Sequence, residues 1–95
     1  MAAYLIADID IIDPVGYAEY KAKAPATVAS FGGRYLARGG ATDILEGTWT
    51  PKRCVVIEFP TSTALKTWWS SPEYQPLRKI REQTTVSHLV MTEGI

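Results

Sequence analysis

Arg38, Glu58 and His88 are of types that together hold an oxyanion and move a proton. An arginine grips a carboxylate or enolate oxygen through parallel N–H groups. A glutamate can orient that arginine or accept a proton, and histidine is the usual proton carrier near neutral pH. Asp8 and Arg34 add one more carboxylate and one more guanidinium in stretches of similar character. The same residues have a plainer use. Arg38 and Glu58 could form an ion pair across a sheet or a subunit interface, and a lone histidine can be a satisfied structural side chain. Trp69 and Tyr74, on either side of "SSP", could wall a flat organic ligand at a pocket mouth, with core packing as the alternative. His88 is the sole histidine, and the carboxylates lack ligand spacing, so neither a metal nor another cofactor is expected.

These side chains need elements to position them. "AYLIADIDII" and "RCVVIEF" have strand composition, as do "RYLAR" at 34–38 and the closing "TTVSHLVMTEG". Asp13 and Pro14 form an N-cap and first helical position. The helix they open has Tyr17, Tyr20, Ala24, Val28 and Phe31 on one face, and Pro25 predicts a kink or break near Ala24. Gly32 and Gly33 stop that helix. A connection over 39–52 leaves room for a short strand at Thr42–Glu46. "TSTALKTWWSS" reads as a helix capped by Thr61 or Ser62. Ser71 and Pro72 start another, with Pro76 making that start irregular and Arg78, Lys79, Arg81 and Glu82 as its solvated face. The order β-α-β-β-α-β predicts an α+β, ferredoxin-like domain with an antiparallel four-stranded sheet.

Side-chain alternation then sorts the strands into two faces. Odd positions, such as Leu5, Ala7, Ile9, Tyr35, Val55, Ile57, Phe59, Leu89 and Met91, are apolar or aromatic and should meet the helices, with Arg53 and Ser87 as exceptions. Even positions mix Ile6, Leu36, Val56 and Val90 with Asp8, Arg34, Arg38, Glu58 and His88. Left bare, this second face would be an apolar patch that monomers seldom keep. Buried dry, it would strand charges. A second copy of the sheet laid over it, with a partly wet cavity between, satisfies both and predicts a homodimer.

Bulk properties narrow the classes further. The chain has 95 residues, suited to one domain over 1–95, and its ten basic and ten acidic residues leave no net charge for gripping nucleic acid. An RNA-recognition reading also lacks stacking aromatics in "RCVVIEF". "GGRYLARGG" lacks the helix start that a phosphate loop needs. The first apolar run is broken by Asp8 and Asp10 and has no basic flank, so neither membrane span nor signal peptide is expected. One cysteine, Cys54, excludes an internal disulfide and suits a reducing, cytoplasmic location.

"GGRYLARGG", "LEGTWTPKRCVVIEFP", "WWSSPEYQPLRKIRE" and "TEG" together resemble the bacterial family called domain of unknown function 1330, over nearly the whole chain. That resemblance implies a dimeric α+β barrel, in which ferredoxin-like subunits pack sheet to sheet. Relatives in that superfamily include cofactor-free monooxygenases, muconolactone isomerases and haem enzymes. It implies no particular activity, since fold alone does not license function. The family's usual tyrosine after the tryptophan is Trp69 here, so no hydroxyl role carries over to that position.

The resulting expectation is a homodimer binding a small anionic or aromatic organic molecule between sheet and helices. Its chemistry would be a cofactor-independent proton transfer or oxygenation, with Arg38 holding the oxygen and His88 or Glu58 handling the proton. Asp8, Arg34, Trp69 and Tyr74 would contact the ligand. The alternative is a non-catalytic binding or accessory dimer whose charged face only sets subunit register.

Overall fold

A computed structural model describes residues 1–95. The chain runs β1 (Ala3–Ile11), α1 (Pro14–Ser30), β2 (Arg34–Arg38), β3 (Cys54–Phe59), α2 (Ser62–Trp69), α3 (Gln75–Thr84) and β4 (Thr85–Glu93). The strands form one antiparallel sheet in the order β2-β3-β1-β4. This is the expected ferredoxin-like α+β arrangement, with its second helical segment divided into α2 and α3. The helices cover one face only, so the molecule is a slab of 35 × 32 × 16 Å. No helix is long and apolar enough to cross a membrane.

The caps follow local chemistry. The Asp13 carboxylate accepts from the Gly16 amide at 3.1 Å, and the Thr61 hydroxyl accepts from the Ala64 amide at 3.1 Å. Each satisfies one of the donors that a helix start leaves free. After α2, Ser71 holds a turn in which its carbonyl accepts from the Tyr74 and Gln75 amides, both at 3.2 Å. Regular helix therefore begins at Gln75, with Pro76 in its first turn, later than a Ser71 cap would give. Thr42–Glu46 forms no strand, and residues 39–53 connect β2 to β3 as an exposed excursion.

The core lies between helices and sheet, where Phe59, Trp68, Tyr74 and Val28 are its largest fully buried side chains. The Trp68 ring lies 4.1 Å from Tyr74 and 5.4 Å from Phe59, centroid to centroid. Its indole N–H donates to the Thr27 hydroxyl at 3.1 Å, so burial strands no donor. Gly33 packs where a Cβ would lie 2.7 Å from Val28 and Phe59, which lets the turn after α1 close onto this core.

Two expectations about backbone need correction, and they turn out to be linked. α1 continues through Pro25 without a break. Strand β2, meanwhile, carries a bulge. Arg34 pairs with Glu58 and Tyr35 with Ile57, but Ala37 pairs with Val56 and Arg38 with Val55. Leu36 is the extra residue, so parity reverses beyond it. Arg34 and Arg38 consequently lie on opposite faces of the sheet.

Candidate functional site

On the helix-free face Arg34, Glu58 and Asp8 all have partners within the chain. Arg34 Nε donates to Glu58 Oε1 at 2.8 Å, and this bond holds the Glu58 carboxyl below the usual glutamate range. Tyr4 lies beside the pair, its phenol pushed up by a hydrogen bond to Glu58 and by that carboxylate's charge. Asp8 fastens the β2–β3 connection to the sheet. It accepts from Trp49 Nε1 at 3.0 Å and from the Lys52 amide at 2.8 Å. Those two donors, the Trp49 indole foremost, keep its carboxyl low. His88 faces Asp8 across the β1–β4 ladder and is exposed. Beside them lies a hollow of about 240 Å³ lined by Ile6, Asp8, Trp49, His88 and Val90.

Arg38 is not part of this set. Its Nη2 donates to the Lys21 carbonyl in α1 at 2.6 Å. In a regular helix that carbonyl would accept from the amide four residues on. That residue is Pro25, which has no N–H. The arginine thus supplies the donor that the proline withholds, and the helix stays whole. Beside it, the guanidinium of Arg53 packs against Gly39, whose φ of +72° and lack of a Cβ both permit the approach.

Between the helix layer and the sheet runs a seam of three hollows, each touching Leu89. The innermost, about 20 Å³, has Tyr17, Tyr20, Tyr35, Arg38 and Arg53 in its wall. That is room for about one water. The next, about 180 Å³, is apolar and bounded by Leu65, Trp69, Leu89 and Met91. The third, about 340 Å³ and open to solvent, is polar, with Arg81, Glu82, Thr85 and Ser87 beside Trp69. Behind the wall, the hydroxyls of Tyr20 and Tyr74 share a hydrogen bond of 2.8 Å. Burial, reinforced by Tyr74, pushes the Tyr20 phenol far up, and burial raises Tyr35 to about 12 despite Arg38. Both therefore stay protonated near neutral pH and serve as hydrogen-bond groups, not bases.

The residues expected to act together are thus distributed over several places. Asp8 is brought opposite His88, and Glu58 joins Arg34. Arg38 lies on the other side of the sheet from all four. Trp69 is half-buried and stands in the seam wall. Tyr74 is fully buried in the core and does not line a pocket mouth. Arg81, expected on a solvated face, is 4% exposed. Its inward position was readable from helical spacing, since Leu77, Arg81 and Thr84 recur at one-face intervals. The Trp49 bond to Asp8 had no sequence signal, because it crosses from an irregular connection.

The family model described as Domain of unknown function (DUF1330) matches residues 2–95. A protein of unknown function from Rhodopseudomonas palustris superposes with a TM-score of 0.79 at 18% identity, covering 99% of this chain and 82% of its own. SnoaB, a cofactor-independent oxygenase from Streptomyces nogalater, gives 0.64 at 11% identity, covering 99% and 93%. A dimeric ferredoxin-like protein of unknown function from Jannaschia gives 0.65 at 13% identity, covering 99% and 100%. At these identities the likeness extends to the fold. No curated protein matches the sequence.

Proposed function

The chain belongs to the DUF1330 family of domains of unknown function, and from that premise we propose that it is a homodimer binding a small organic molecule between its helices and its sheet. The observation that carries this reading is the seam itself. Arg38, Arg53 and Arg81 line it, and its one carboxylate, Glu82, already faces Arg78 at 3.7 Å. Such a wall offers donors and positive charge to an incoming anion. The subunit partner would cover the helix-free face, where Ile6, Leu36, Val86 and Val90 are 38%, 50%, 57% and 61% exposed. An apolar patch of that kind favours a protein partner, and the dimeric description of the Jannaschia structure is consistent with it.

The test combines sedimentation with thermal melting against a panel of small organic acids and their neutral analogues. The expected result is a two-subunit mass and a raised melting temperature with at least one acid. A single-subunit mass, or no response across the panel, overturns the reading.

A second reading adds chemistry. His88 faces Asp8 beside the 240 Å³ hollow, a placement suited to a proton-transfer base and its orienting carboxylate. On this reading Glu58 and Arg34 fix the subunit register, and Arg38 acts through α1 and the seam. Once a bound compound is in hand, turnover by the parent and by His88→Gln decides the matter. Equal rates in the two leave binding alone.

A further inference from the structure

Three guanidinium groups have a buried Nε without a hydrogen-bond partner: Arg53, Arg78 and Arg81. They are not equivalent. Arg78 lies over the Trp69 ring at 4.2 Å and faces Glu82 at 3.7 Å. Arg53 is half-buried at the Gly39 turn. Arg81 is 4% exposed, and no carboxylate pairs with it, for the ion pairs of the chain are Lys23–Glu19, Arg34–Glu58 and Arg78–Glu82. A buried cation without a counter-ion is costly to the fold. The Tyr20 phenol near it stays protonated and supplies no negative charge. What Arg81 does contact is the face of Trp69, 5.8 Å from the ring centroid.

Arg81 also lines the polar hollow, which meets the apolar hollow at Trp69 and Leu89. The apolar lobe, about 180 Å³, exceeds the roughly 150 Å³ of an apolar cavity that holds a benzene. One end of the seam therefore presents a ring-sized greasy lobe, an indole wall and, a few ångströms on, an uncompensated guanidinium.

We infer that this end of the seam is a binding site for a small aromatic monoanion, its ring on Trp69 between Leu65 and Met91 and its charged group on Arg81. The inference rests on the seam being the ligand site and names the class of compound it takes. Glu82 shares the polar hollow, but its tie to Arg78 directs it away from the role of counter-ion. One negative charge fits this arrangement better than two, since Arg81 is the one cation in the polar hollow and the other charge there is the Glu82 carboxylate.

The experiment uses ¹⁵N-labelled full-length protein titrated with phenylacetate and with its neutral near-isostere 2-phenylethanol. The Trp69 indole N–H and Arg81 Nε–H signals are followed. Phenylacetate is expected to shift both and to bind about tenfold or more tightly than the alcohol. Arg81→Gln should erase that preference and leave the alcohol's affinity unchanged. Equal affinity of the parent for both compounds, or a preference that survives Arg81→Gln, overturns the assignment while leaving the seam as a site for neutral ligands. If neither compound moves Trp69, this end of the seam is not a site for aromatic ligands, whatever the acid panel finds elsewhere. A separate readout is the melting temperature of Arg81→Met without ligand. It should rise as an uncompensated buried charge is removed, and a fall would mark Arg81 as a packing residue.

Discussion

The two faces of this one sheet handle charge in opposite ways. On the open face, Arg34 is matched to Glu58 and Asp8 accepts from Trp49 and from the Lys52 and Arg53 amides, while the apolar residues between them are exposed. On the helix-covered face the apolar groups are packed, and Arg38, Arg53 and Arg81 pair with no acid. Bonded charge with bare hydrocarbon suits a surface that another folded protein will cover, because Arg34, Glu58 and Asp8 already have partners within the chain. Packed hydrocarbon with an unpaired cation suits a site that waits for a small counter-ion. The contrast locates subunit contact and ligand contact on different sides of a single layer.

The largest test of this division is Trp68→Ala, which removes the aromatic centre of the covered face. It should cost about 3–5 kcal/mol in urea unfolding, a large share of the roughly 5–15 kcal/mol by which a domain is stable. A loss near that of a surface change would mean the helices are held elsewhere. Next comes Val86→Lys on the open face, at a residue that lines none of the three hollows of the seam. Sedimentation should show it shifting the chain to single subunits, with the ligand response of the seam intact. Loss of both together would mean that the seam is completed by the partner, and the two faces would no longer be separable.

A smaller effect is expected from Arg38→Ala, about 1 kcal/mol, because the Lys21 carbonyl loses its donor. In a Pro25→Ala background the helix regains its own N–H, so the same change should then cost measurably less. A double-mutant cycle without coupling would remove the link between the proline and the arginine. The smallest effect is on acid stability. Asp8 and Glu58 both have folded-state pKa values below their ordinary ones. Their contribution is therefore full above the unfolded-state values and lost as pH falls through the folded ones, below about pH 4. Replacing them with Asn and Gln should flatten the acid limb of the stability curve. An unchanged slope would show that the open-face charges are not held.

Element order, the caps at Asp13 and Thr61 and the core face of α1 were legible because each depends on local chemistry. Asp13, Pro14 and the Tyr17–Phe31 spacing needed no distant partner. The candidate site was legible only in part. Alternation correctly set Asp8, Glu58 and His88 on the open face, since β1, β3 and β4 pair without irregularity. It failed for Arg38 because nothing in "RYLAR" marks an unpaired residue. A clue did exist elsewhere, in a helix-interior proline whose missing donor some side chain had to replace. The charge of Arg81 points to solvent while its spacing points to the core, and the neighbours of Tyr74 point to a pocket mouth while its volume points inward.

The bulge has one more implication. Leu36 has no opposite number on β3, so its excision would leave Arg34, Tyr35, Ala37 and Arg38 each facing the residue it faces now. Mid-strand deletions ordinarily invert everything downstream. This protein should accept one there as readily as a loop would, trading a half-exposed leucine for a straighter edge.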